Sequence, residues 1–195
     1  MKRLLTIIMM ALMTLVAMAD SVTDNGITYY LEDATLTADA MAEDKYTLSG
    51  DIVIKDQVTY GGKTYTVTSI HDYGFDGCNN ITSVQLPNTL TELGQVAFRN
   101  CPNLKSINIP SGIKVITSAA FQYCGFETLI IPNTVTTIAE DAFGSNTSLK
   151  TLTVGSAVTS IEAGAFKNCP LEQVIFLGTT PPVVGEDAFK SNNSF

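Results

Sequence analysis

Residues Val96–Thr117 read VAFRNCPNLKSINIPSGIKVIT, and residues Asp141–Phe166 read DAFGSNTSLKTLTVGSAVTSIEAGAF. Superposed on their Ala-Phe pairs, the two stretches keep apolar residues in the same places, and the register runs well beyond them. Phe75, Phe98, Phe121, Phe143, Phe166 and Phe189 are spaced by 23, 23, 22, 23 and 23 residues. Ile70, Leu93, Ile116, Ile138, Ile161 and Val184 each precede their Phe by five residues. Val84, Ile107, Leu129, Leu152 and Val174 form a third column, and Leu86, Ile109, Ile131, Val154 and Phe176 a fourth. Six of the nine phenylalanines share one register, so the chain is built on a repeat. A period of this length is the signature of a stacked array.

Each unit has legible chemistry. In Leu104–Ile109 the last residues alternate apolar and polar, the pattern of a strand buried on one face. Pro110 ends that strand, as Pro87 and Pro132 end theirs, because proline has no N–H to continue a ladder. Gly155 and Gly178 occupy that place in the later units. A second short apolar pair follows, then a small-residue turn such as Ala139–Phe143, for which the spacing predicts one helical turn with its Phe facing inward. A unit this short cannot bury its own apolar face, so neighbours must share a core. The expected architecture is a β-rich solenoid with short helical turns, whose strands lie in parallel ladders about 4.8 Å apart.

The ends differ from the array. Residues 1–19 carry Lys2-Arg3, an apolar run from Leu4 to Met18 and the small-x-small string Ala17-Met18-Ala19. That is the pattern of a secretory signal peptide, and the run is shorter than the roughly 18–20 residues that span a bilayer. No later stretch is apolar enough to span. Residues 20–66 fall outside the repeat and read as an N-terminal β cap: GITYYL, DIVIKD and KTYTVTSI have strand character, with Gly61-Gly62 suited to a hairpin turn. Residues 67–195 form the array, five full repeats and a truncated sixth. Phe195 sits in the register of Ile81, Leu104 and Leu149; three alternatives stand, that it plugs the last turn, that it belongs to an open edge offering self-association, or that the product is cut short.

Charge excludes some functions. The chain of 195 residues has 11 Lys and Arg against 19 Asp and Glu, a net of −8, which opposes a nucleic-acid binder relying on a basic footprint. Eight of the acids lie between Asp20 and Asp51 beside one lysine, so the repeats themselves are nearly balanced.

The repeated strings, together with GDIVIKDQVTYGGKTYTVTSI at residues 50–70, resemble the BspA-like class of leucine-rich repeats across roughly Gly50–Phe189. The resemblance implies a leucine-rich repeat solenoid. It also implies a surface or secreted protein of the kind found in anaerobic oral and gut bacteria, some of which are adhesins for host matrix proteins. On that basis the expected function is an exported, non-enzymatic binding module for an unidentified protein or glycan, such as a host or cell-surface molecule. The alternative is a structural or spacer protein without a dedicated ligand. Location would be secreted, periplasmic or at the cell surface.

Candidate chemistry within the residues is sparse. Cys78, Cys101, Cys124 and Cys169 each lie three residues after a column Phe, where Asn146 stands in the remaining internal unit. One per turn in a ladder is not zinc spacing, and it permits at most one bridge between neighbours; otherwise the four are small buried thiols at a corner. His71, the single histidine, occupies a solvent-side turn position with no recurring chemistry, so no catalytic constellation forms around it. Glu140-Asp141 and Glu186-Asp187 read as solvated turns. No catalytic residue, metal site or cofactor is expected. The candidate binding face is the outward side of the strands: Ser83 and Gln85, Ser106 and Asn108, Thr128 and Ile130, Thr151 and Thr153, Gln173 and Ile175. Beside it, Thr82, Lys105, Glu127, Lys150 and Glu172 alternate in sign, so adjacent charges can pair.

Overall fold

The structure, a computed structural model, describes residues 20–192. The proposed signal peptide and Phe195 lie outside the described residues. Six strands come first: β1 (Ser21–Asp24), β2 (Ile27–Glu32), β3 (Thr37–Ala42), β4 (Ser49–Val53), β5 (Gln57–Tyr60) and β6 (Lys63–Ile70). Two short strands then alternate in every turn of the chain. They are β7 (Asn80–Gln85) and β8 (Glu92–Leu93), β9 (Ser106–Ile107) and β10 (Val115–Ile116), β11 (Thr128–Ile130) and β12 (Thr137–Ile138), β13 (Thr151–Val154) and β14 (Ser160–Ile161), β15 (Gln173–Phe176) and β16 (Val183–Val184).

Parallel pairing of equivalent strands turns the repeat into a solenoid. One side carries the sheets β4-β7-β9 and β11-β13-β15, and another carries β10-β12-β14-β16, with β8 pairing β6. Register follows the columns: Leu129 faces Leu152 and then Val174, while Ile116 faces Ile138 and then Ile161. At the entry, β1, β2 and β3 form an antiparallel meander, and the β5–β6 hairpin turns at Gly61-Gly62, both at positive φ.

The N-terminal segment does more than cover the end. β3 runs parallel to β6, and β4 runs parallel to β7 with Ile52 opposite Val84. Between them the Ala42 amide donates to the Gly74 carbonyl at 2.8 Å. β3, Ala42 and β4 therefore form a rung that precedes the first repeat, with Ala42 where later turns place Phe.

The third side corrects the expectation of a helical turn. Among the described residues no α-helix occurs; the Phe corner is a pair of back-to-back turns. Two residues before each Phe the backbone has positive φ, at Tyr73, Val96, Ala119, Asp141, Gly164 and Asp187. Two residues after it the same holds for Gly77, Asn100, Tyr123, Ser145, Asn168 and Ser191. The reason lies in the hydrogen bonds. A helix would return its N–H groups to its own carbonyls four residues back, whereas here they are sent across to the next rung. Phe98 N–H donates to Ala120 O, Phe121 to Ala142 and Phe143 to Ala165, each at 2.8 Å, and the flanking positive-φ residues do likewise. Alternation of backbone sign aims every second N–H along the solenoid axis.

The core consists of the columns. Phe75, Phe98, Phe121, Phe143 and Phe166 are fully buried, and successive rings, continuing to Phe189, stack with centroids 4.9, 5.6, 5.3, 5.3 and 5.4 Å apart. Phe126 meets Phe121 edge-on at 6.0 Å and fills, in a unit one residue shorter, the place held by Leu104 and Leu149. Rungs approach closely enough that a Cβ on Gly112 would collide with the Leu90 carbonyl. Deleting one ring leaves both neighbours facing a void, so Phe121→Ala should destabilise the fold by about 3–5 kcal/mol. Denaturant unfolding measures this, and a loss below about 1 kcal/mol would contradict the stacked column.

Candidate functional site

The strand side presents two outward columns. The first runs Asp51, Ser83, Ser106, then Thr128, Thr151, Gln173; the second runs Val53, Gln85, Asn108, then Ile130, Thr153, Ile175. All ten residues singled out in the sequence are exposed or half-buried. Asp51 and Val53 were missed because they sit on β4, outside the 23-residue register. Alternation in GDIVIKD was the available signal.

The ten are not equivalent. Ser83 Oγ and Thr82 Oγ1 donate to Asp51 Oδ1 at 2.6 and 2.9 Å, tying the first repeat to the rung before it. Those two bonds, Ser83 first, hold the Asp51 carboxyl below its ordinary value. Asn108 accepts from Leu86 N–H at 2.7 Å and donates to Leu86 O at 2.9 Å, continuing the ladder where the backbone leaves it. Ser83 and Asn108 thus serve the fold. Gln85, Ser106, Thr128, Thr151, Thr153 and Gln173 make no side-chain hydrogen bond among the described residues, and Ile130 is 66% exposed and Val53 62%. Uncommitted short polar groups and isolated apolar side chains on a flat ladder make a surface that can dock a partner without first breaking internal bonds.

Flanking charges pair as their alternation predicts. Lys105 reaches Glu127 at 3.8 Å and Lys150 reaches Glu172 at 2.9 Å, both in solvent, where such pairs add little to stability. The face therefore has no concentrated charge for an ionic polymer.

The cysteines are tied into the fold. All four cysteines are free and buried. The Sγ of Cys101, Cys124 and Cys169 donates to the carbonyl of the Phe in the preceding rung, Phe75, Phe98 and Phe143, at 3.2, 3.1 and 3.3 Å. Asn146 takes the same role, donating to Phe121 O at 3.0 Å and Phe143 O at 2.6 Å, while its Oδ1 accepts from Cys124 N–H at 2.8 Å. Asn192 repeats the pattern on Phe166 O at 3.1 Å. The column thus selects for a buried donor that reaches one rung back. Burial raises the Cys78 thiol to about 12 and the Cys169 thiol to about 11, and it pushes the Cys124 thiol up as well. His71 is exposed, with Nδ1 2.8 Å from its neighbour's carbonyl, Asp72 O. Among the described residues no group of three His, Cys, Asp or Glu could hold a metal ion, and no helix is long and apolar enough to cross a membrane.

The repeat places the chain among known proteins. The chain belongs to the BspA type leucine rich repeat family, whose region model matches residues 68–195 in six copies. Among solved structures, a leucine rich cell surface protein from Faecalibacterium prausnitzii is 30% identical, with 88% of this chain and 52% of that one covered and a TM-score of 0.64. The T. pallidum leucine rich repeat protein is 21% identical, covers 85% of this chain and 86% of its own, and gives a TM-score of 0.68. The pneumococcal vaccine antigen PcpA is 19% identical, with 90% and 48% covered and a TM-score of 0.71. The last two show the fold alone. The chain spans about half the length of the F. prausnitzii and pneumococcal chains. No curated protein matches it. Leucine-rich repeats are typically protein-interaction modules.

Proposed function

We propose that this chain is an exported, non-enzymatic binding module that contacts a protein of a host or cell surface through its strand side. Residues 1–19 direct export, residues 20–66 close the N-terminal end, and residues 67–195 carry the contact surface. Placement outside the cytoplasm is supported by the signal-like leader and by likeness to a protein described as a cell surface protein. The observation that carries the reading is the β11-β13-β15 ladder, where Thr128, Thr151 and Gln173 lie in register, their side chains making no hydrogen bond among the described residues, beside the exposed Ile130 and Ile175. Protein partners bury such flat polar surfaces around a few apolar anchors. Binding of the purified chain to immobilised matrix proteins and to bacterial surface extracts tests this. A saturable interaction should weaken at least tenfold, about 1.4 kcal/mol, in the Ile130→Asp/Thr151→Asp variant. Undiminished binding, or none to any of these surfaces, would contradict it.

A further inference from the structure

The Phe corner carries a second surface with its own chemistry. Most of its positive-φ positions hold residues that tolerate that backbone or gain from burial there: Gly, Asn, Asp and Ser at eight of them, with Val96 buried and Ala119 half-buried. Tyr73 and Tyr123 do neither. Each has φ of 59°, a conformation that costs a bulky residue stability, and each leaves its ring in solvent, 58% and 49% exposed. Neither ring is buried in the core of the fold.

Between the two stands Arg99, one rung on from Tyr73 and one before Tyr123. Its guanidinium lies 6.0 Å from the centre of the Tyr73 ring. Asp76 fixes it there, accepting from Nε at 3.0 Å and Nη2 at 3.1 Å, with Asn100 Nδ2 on the same carboxylate at 3.2 Å. The carboxylate holds the Arg99 proton and cancels its charge locally. Gln95 and Gln122 share these turns; their backbone carbonyls accept from Tyr73 and Asn100 at 2.9 Å each, while their side-chain amides have no partner among the described residues.

We propose that Tyr73, Arg99 and Tyr123, with the Gln95 and Gln122 amides, form a binding platform for a neutral carbohydrate chain. The chemistry favours this class over others. Exposed aromatic faces stack on the C–H face of a sugar ring, and unpaired amides both donate to and accept from hydroxyl groups. The only ion pair in the cluster is internal, so an anionic polymer gains little from it. Tyr73 and Tyr123 are two rungs apart, about 10 Å along the axis, so an extended chain rather than a single sugar can engage both rings. The platform lies on the corner side of the solenoid, apart from the strand side, and does not depend on that side's function.

Isothermal titration of the purified chain with cellohexaose, laminarihexaose and mannohexaose tests the proposal, with a heparin hexasaccharide and a matrix-protein panel as the other classes. Saturable binding to at least one neutral hexasaccharide is expected, weakened at least tenfold in both Tyr73→Asn and Tyr123→Asn. Asparagine already occupies this backbone conformation at Asn100 and Asn168, so both variants should keep or raise the parent's melting temperature. That separates loss of the platform from loss of the fold. Failure of all three neutral probes, binding of heparin alone, or binding unchanged in either variant would overturn the proposal. A protein ligand lost on the same substitutions, with no sugar bound, would overturn it as well.

Discussion

The hydrogen bonds that the Phe corner sends along the solenoid axis constrain everything else. A short repeat whose strands are two to six residues long has little sheet with which to hold its rungs together. The corner supplies three further inter-rung backbone bonds per turn, for example from Ala119, Phe121 and Tyr123 to Glu140, Ala142 and Gly144. Those bonds exist only because the backbone alternates into the left-handed region on either side of each Phe. The same geometry sets the ring stacking distance, and it turns the Phe carbonyl toward the next rung, where a Cys or Asn side chain meets it. Phe column, thiol column and turn conformation are three consequences of one arrangement.

A fold held this way leaves its surfaces free for other uses. Strand-side residues contribute to the ladder through their backbones, so their outward side chains are available wherever they are not recruited, as Ser83 and Asn108 are, to join rungs. Corner residues are more constrained, because each must accept its assigned φ. An exposed tyrosine in such a place runs against the local preference, and that conflict is what sets the Tyr73–Arg99–Tyr123 cluster apart from the other turns.

Much of this was legible in the sequence. The Phe and Ile columns, the prolines that end strands, and the outward positions of the strands follow from spacing and period alone. The corner conformation was not legible, because Val96, Ala119 and Asp141 occupy its left-handed positions and hide the glycine signal that would have marked a non-helical turn. The rung formed by β3, Ala42 and β4 was hidden for a different reason. Its Ile52 lies 32 residues before its partner Val84, so it falls out of the 23-residue register, and its corner has Ala where the pattern requires Phe. Interchange of Asn146 with the cysteines was visible as a register match. Its cause, a shared bond to the preceding Phe carbonyl, is a fact of three dimensions.

Amide hydrogen exchange by NMR tests the central claim most directly. If the corner bonds hold the rungs together, the N–H groups of Phe98, Phe121, Phe143 and Phe166 can exchange only when the stack opens, and they should fall in the slowest class, at the rate of global unfolding. Exchange of these four amides as fast as those of the exposed turns would contradict the account, because the rungs would then be held by strands and side chains alone.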